Sequence, residues 1–207
     1  MHAVVFDIGG VLLDWDPRHL YRHLIADATE RERFLREVCT MEWNSTLDRG
    51  RPFEEACAEL AARHPDQAEL IHAWKRQDDM VAGEIPGTAA LVEALRARHV
   101  PLHLLTNMPT EVFEQRRERF EVLRRFDGAI VSGREGVLKP EPEIFALLAA
   151  RFGLEPAATL FIDDSEVNVQ GARAAGFEAH RFVGAAGLAE ELIQRGLLSP
   201  DGAPTAH

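Results

Sequence analysis

Four short apolar runs, each giving way at once to small or polar residues, limit what this chain can fold into more than any other feature. They are Ala3–Phe6, Leu102–Leu105, Ala129–Val131 and Thr159–Ile162, with Glu178–Phe182 as a weaker fifth. Runs this short without polar alternation have the character of strands buried on both faces, as in parallel sheets. Helical patterns separate most of them. Thr88–Arg98 carries Leu91, Val92 and Leu95 on one side, and Ile144–Arg151 and Val167–Ala175 follow further on. Strands alternating with helices predict an α/β fold built on a parallel sheet.

The spacing is uneven. Roughly 95 residues separate the first two runs, against about 30 in an ordinary strand–helix–strand unit. The interval reads as helices at His19–Ala26, Arg31–Thr40, Phe53–Arg63 and Ala68–Met80, and it holds Trp15, Trp43 and Trp74, the chain's three tryptophans. A helical insertion after the first strand explains both facts, with the tryptophans as its small core. Pro and Gly interrupt the pattern at Asp14–Pro17 and Glu84–Gly87, which makes these candidate hinges. The expected division is a core of residues 1–14 and 84–200, an insertion of residues 15–83 and a tail of residues 201–207, with disorder setting in near Ser199.

Composition narrows the function classes. The chain has 207 residues, 46% hydrophobic and 28% charged, which is enough apolar material for a real core. Its formal net charge is -11. Arg residues are interleaved with Glu, as in Glu30–Arg33 and Glu114–Arg119. No concentrated basic patch opposes the acidic field, so a nucleic-acid partner is not expected. Cys39 and Cys57 are too few for a disulfide scaffold and lack metal-ligand spacing; they read as small buried residues. The first apolar run meets Asp7 too early for a signal peptide or a membrane span. The expectation is a cytoplasmic protein with no membrane partner. No motif speaks to oligomeric state.

Ligands of an open parallel sheet gather at the carboxyl ends of its strands. There the chain places Asp7-Ile8-Gly9-Gly10-Val11, then Thr106-Asn107, then Ser132 with Lys139-Pro140 beyond it, then Asp163-Asp164-Ser165. Taken singly, each has an ordinary reading: a turn aspartate, a helix cap at Thr106, a surface lysine. Asp163-Asp164 is less ordinary. Adjacent acids after an apolar strand repel unless a cation or hydrogen bonds compensate, and magnesium commonly takes one or two carboxylates plus substrate phosphate. The glycines after Asp7 let backbone N–H groups close around an anion.

In this order, Phe6-Asp7-Ile8-Gly9-Gly10-Val11-Leu12, Leu105-Thr106-Asn107, Lys139-Pro140 and Phe161-Ile162-Asp163-Asp164 resemble the four motifs of the haloacid-dehalogenase-like hydrolases. The spacing from Asp163 through Asn168 to Gly171-Ala172 resembles the phosphatase branch. The resemblance spans residue 3 to about 182 and implies a Rossmann-like core, a helical cap formed by the insertion, a magnesium ion, an aspartyl-phosphate intermediate and a small phosphorylated substrate. It implies Asp7 as nucleophile, with magnesium on Asp7, the Gly9 carbonyl and Asp164. Asp163 would bind through water or orient the others. The Thr106 hydroxyl and the Asn107 N–H would hold phosphoryl oxygens, and Lys139 would neutralise charge on the phosphoryl group and Asp7. Asn168 would tie the fourth-motif loop together. Specificity would come from the cap, where Arg18, Arg22, His23, Trp43, Asn44 and Arg49 are candidates.

One position departs from the pattern. Phosphatases of the family place a second Asp two residues after the nucleophile to protonate the leaving oxygen, and here that position is Gly9. Asp14 and Asp16 are the nearest substitutes in sequence. Two other readings compete. A 2-haloacid dehalogenase would use Asp7 to displace halide; it needs no metal, and both Asp163-Asp164 and Gly9 argue against it. A catalytically weak binding protein on the same fold has Gly9 as its support.

Overall fold

A computed structural model describes residues 3–200. The tail of residues 201–207 lies outside the described residues. Five strands form one parallel sheet: β1 (Ala3–Phe6), β4 (Leu102–Thr106), β5 (Gly128–Val131), β6 (Thr159–Asp163) and β7 (Glu178–Arg181), in the order β5-β4-β1-β6-β7. All four apolar runs and the weaker fifth are therefore strands. β1 lies at the centre, with Val5 beside His103 on one side and Phe161 on the other.

The missing polar alternation has a direct cause. Val4 and Phe6 enter an apolar cluster with Leu104, Ile162, Leu91 and Leu188 on one face of the sheet. Val5 enters a second cluster with Leu105, Phe161, Phe145 and Val169 on the other. Successive side chains of a strand point to opposite faces, and here both faces carry helices. The first cluster takes α6 (Thr88–Ala97), α7 (Thr110–Arg119) and α11 (Ala185–Gln194), and the second takes α9 (Pro142–Phe152) and α10 (Glu166–Ala174).

Between β1 and β4 the chain forms α1 (Pro17–Tyr21), α2 (Ala28–Glu37), α3 (Met41–Asp48), α4 (Phe53–Arg63) and α5 (Ala68–His72). These have their own apolar cluster around Tyr21, Phe34, Trp43, Leu47, Ile71 and Trp74. Trp43 and Trp74 meet edge to face at 5.5 Å. Trp15 departs from expectation: it is partly buried, packs against both this cluster and the core, and lines the main pocket.

The segments read as hinges overlap two short strands, at Asp14 and Trp15 and at Glu84. β2 (Leu13–Trp15) and β3 (Val81–Glu84) pair antiparallel and carry both passes of the chain between core and insertion. Three elements of the insertion also differ. The helix read at His19–Ala26 ends at Tyr21, α2 begins and ends three residues before the span read as Arg31–Thr40, and Ala68–Met80 breaks after His72 into short 3₁₀ turns. Helix α3 went unread because Met41–Asp48 has few apolar residues. Thr40 starts it by accepting a hydrogen bond from the Trp43 N–H at 3.0 Å, a standard N-cap.

Candidate active site

β1 lies where the strand order reverses, so a crevice opens beyond its carboxyl end. Asp7, Gly9, Gly10, Thr106, Asn107 and Asp164 line a pocket of about 390 Å³ there, together with Trp15, Asn44 and Asp48 from the insertion side. Residues picked out from three of the four stretches of sequence thus line one pocket at the edge of the sheet, and Lys139 from the remaining stretch reaches Asp7 beneath it.

Lys139 organises the buried charge. Its ammonium lies 2.9 Å from Asp7 Oδ1 and 2.7 Å from Asp163 Oδ2, with only 4% of the residue exposed. Burial alone would favour the neutral amine, but Asp163 and Asp7 outweigh it and hold the lysine above its ordinary range. Asp7 is pushed up to about 7, first by burial and also by Asp163, against the pull of Lys139. The Ile8 N–H donates to Asp7 Oδ1 at 2.7 Å. Oδ1 therefore has two protein donors, and none reaches Oδ2 among the described residues.

The Asn107 side chain fixes the lysine's backbone. Its Nδ2 donates to the Lys139 carbonyl at 3.0 Å and its Oδ1 accepts from the Lys139 N–H at 2.8 Å. The Asn107 amide side chain is thereby occupied, and Thr106 and Asn107 both line the pocket. Asn168 donates to both Asp163 oxygens, at 3.1 and 3.2 Å, and the Ser165 N–H donates to Asp163 Oδ1 at 2.9 Å. Asn168 does tie this loop together.

Asp7, Asp163 and Asp164 present carboxylate oxygens within 4.8 Å of one another. One lysine does not neutralise three acids. Asp164, held up by burial and by Asp163, receives no side-chain ion pair among the described residues. The donor set of hard oxygens and the surplus negative charge fit a divalent cation such as magnesium. The turn itself is shaped for the acid. Gly10 has φ +72°, and a Cβ there would lie 2.4 Å from Asp164 Oδ2. Gly9 is unconstrained by comparison, its nearest contact for an added Cβ being Trp15 at 3.9 Å.

Of the six insertion residues offered as substrate contacts, Asn44 alone lines this pocket. Arg18 pairs with Glu32 at 2.6 Å, Arg49 pairs with Glu141, and Trp43 is in the insertion core. Arg22 and His23 are exposed side by side. Asp14 and Asp16 do not line the pocket either: Asp14 is 3.3 Å from His19, and Asp16 caps α1.

Two charged residues of the pocket escaped the sequence reading. Asp48, the last residue of α3, is brought in by a helix that was not foreseen. An acid at a helix C-terminus opposes the macrodipole, a signal available only once α3 is recognised. Arg116 on α7 is 3% exposed and has no carboxylate within 4 Å among the described residues; burial lowers its guanidinium to about 10. It hid in the Glu/Arg run read as a solvated face.

The haloacid dehalogenase-like hydrolase profile matches residues 1–176. The chain belongs to that family of hydrolases. Among its relatives are the sesquiterpene phosphatase astK of Aspergillus oryzae, 29% identical over 84% of this chain and 86% of that one. The phosphorylated carbohydrates phosphatase of Thermotoga maritima is 24% identical over 86% and 83%. Among solved structures, the BT-2542 enzyme of Bacteroides thetaiotaomicron, in complex with magnesium and inorganic phosphate, superposes with a TM-score of 0.64 at 21% identity, covering 87% of this chain and 93% of that one. The L-2-haloacid dehalogenase of Xanthobacter autotrophicus superposes at 0.66 and 20% identity, covering 98% and 86%. These two likenesses concern the fold alone.

Proposed function

We propose that this hydrolase is a magnesium-dependent phosphatase of small phosphorylated metabolites, sugar phosphates among them, working through an aspartyl phosphate on Asp7. The observation that carries the reading is the three-carboxylate cluster around one buried lysine. A halide displacement has no use for that surplus charge, whereas phosphoryl transfer with a divalent ion does. Phosphatase relatives support it further.

Asp7 presents Oδ2 to phosphorus while Lys139 and the Ile8 N–H hold Oδ1. Magnesium, when bound, would neutralise the phosphoryl charge, with Asp7, the Gly9 carbonyl and Asp164 as its protein ligands. Asp163 is saturated by Lys139, Ser165 and Asn168, so it orients the lysine and the loop. The Thr106 hydroxyl, the Asn107 N–H and Lys139 would hold phosphoryl oxygens. Arg116, a buried cation without a carboxylate partner among the described residues, adds positive charge to the pocket wall. Residues 15–83 act as the cap, turning on β2 and β3 at the core boundary.

Purified protein should release phosphate from p-nitrophenyl phosphate with magnesium and lose that activity in EDTA, and should release no halide from chloroacetate under either condition. Halide release in EDTA, without phosphate release, would establish the dehalogenase instead.

A further inference from the structure

The pocket contains one acid used by neither the carboxylate cluster nor the phosphoryl contacts. We propose that Asp48 is the acid and base of the reaction, giving and taking from the insertion the proton that no side chain at Gly9 can handle. This rests on the phosphatase reading above.

Asp48 lines the same pocket as Asp7, and its position is fixed at both ends. The Ser132 hydroxyl donates to the Asp48 carbonyl at 2.5 Å while accepting from the Met108 N–H at 2.8 Å, tying the end of α3 to the end of β5. The side chain is held by a short relay. Trp74 Nε1 donates to Asn44 Oδ1 at 3.0 Å, and Asn44 Nδ2 donates to Asp48 Oδ2 at 2.8 Å. Indole nitrogen can only donate, so the orientation of the Asn44 amide is determined. Asp48 Oδ2 must then be an acceptor. A neutral Asp48 consequently carries its proton on Oδ1, the oxygen that no protein donor reaches among the described residues.

The surroundings favour that neutral form. No Lys, Arg or His nitrogen lies within 4 Å of the carboxylate among the described residues. Burial pushes it up to about 8; Arg116 from α7 and Lys139 from the core act against that, and Asp7 adds to it. An acid still protonated near neutrality is suited to general acid catalysis. The nearer candidates in sequence, Asp14 and Asp16, lie off the pocket.

The proton balance closes. As Asp7 Oδ2 attacks phosphorus, the bond from phosphorus to the leaving oxygen breaks and its electron pair stays on that oxygen, which takes the Asp48 Oδ1 proton. Water then attacks the phosphorus of the acyl phosphate. Its proton passes to the Asp48 carboxylate, the bond to Asp7 breaks, and inorganic phosphate leaves with Asp48 protonated again.

Leaving groups separate this role from a structural one. Asp48→Asn keeps the acceptor for Asn44 and removes the proton. With magnesium, kcat/KM for glycerol phosphate should fall by about 10²–10⁴-fold, while that for p-nitrophenyl phosphate, whose leaving group needs little protonation, should fall less than about tenfold. Adding Gly9→Asp should restore the glycerol phosphate rate selectively, since Gly9 has an unstrained backbone and room for a Cβ. Equal losses on both substrates, no loss on either, or a folded, magnesium-binding double variant without rescue would each overturn the proposal. Should Asp48→Asn not fold, Asp48→Ser is read in the same way. A wild-type protein inactive on both substrates would remove the phosphatase reading itself. An active wild type with an unselective Asp48→Asn would remove the Asp48 role alone.

Discussion

Asp163 and Asp164 are neighbours in sequence and opposites in environment. Asp163 is fully buried and bonded to Lys139, Ser165 and Asn168; Asp164 is exposed toward the pocket. The pair therefore divides its work, one acid holding the lysine and the other left to a ligand. Gly9 and Gly10 divide theirs in the same way. Gly10 adopts a left-handed backbone and leaves no space for a Cβ beside Asp164, while Gly9 does neither. Gly10→Ala should cost about 1–2 kcal/mol from the backbone alone and weaken magnesium binding by displacing Asp164. Gly9→Ala should leave both nearly unchanged. Thermal melts with and without magnesium check this; equal behaviour of the two variants would show that the turn does not shape the acid.

At the scale of elements, the sheet was legible and the insertion only in part: its helical character and α4 (Phe53–Arg63) stood in the sequence, while its strands, α3 and most helix bounds did not. Strands buried on both faces show as unbroken apolar runs, so the five strands of the sheet stand in the sequence much as they do in the fold. β2 and β3 left no such trace. Leu13–Trp15 is three residues long, and Val81–Glu84 includes a glycine, so each is defined by its pairing with the other. The same holds for the site. Asp7, Thr106 and Asp164 were legible because they stand at the carboxyl ends of strands, and Lys139 because Lys139-Pro140 follows in the expected order. Asp48 and Arg116 sit on helices whose inward faces are set by docking of the insertion against the core, through Ser132 and the Arg49–Glu141 pair. No spacing rule in the chain encodes that contact.

For the molecule as a whole, the acids at the mouth of the sheet make ion binding and stability depend on pH together. Burial raises Asp7 to about 7 and also raises Asp164. Their ionised forms are thus disfavoured in the metal-free fold, and stability from these groups falls as pH rises from about 4, the usual carboxylate range, to about 7. Magnesium requires the ionised forms. The gain in Tm on adding magnesium should therefore be small at pH 5.5 and larger at pH 8, and Asp7→Asn should shrink it. An equal gain at both pH values would separate the ion from these carboxylates. Among the described residues no helix is long and apolar enough to cross a membrane.

The central claim is that Asp7 carries the phosphoryl group. Protein turning over a radiolabelled phosphate monoester with magnesium can be quenched in acid within a single turnover, digested, and its labelled peptide sequenced by mass spectrometry. The account predicts an acyl phosphate on the peptide containing Asp7, cleaved by hydroxylamine and absent from Asp7→Asn. Phosphate release at an undiminished rate with no label on that peptide, or label on another residue, would contradict it.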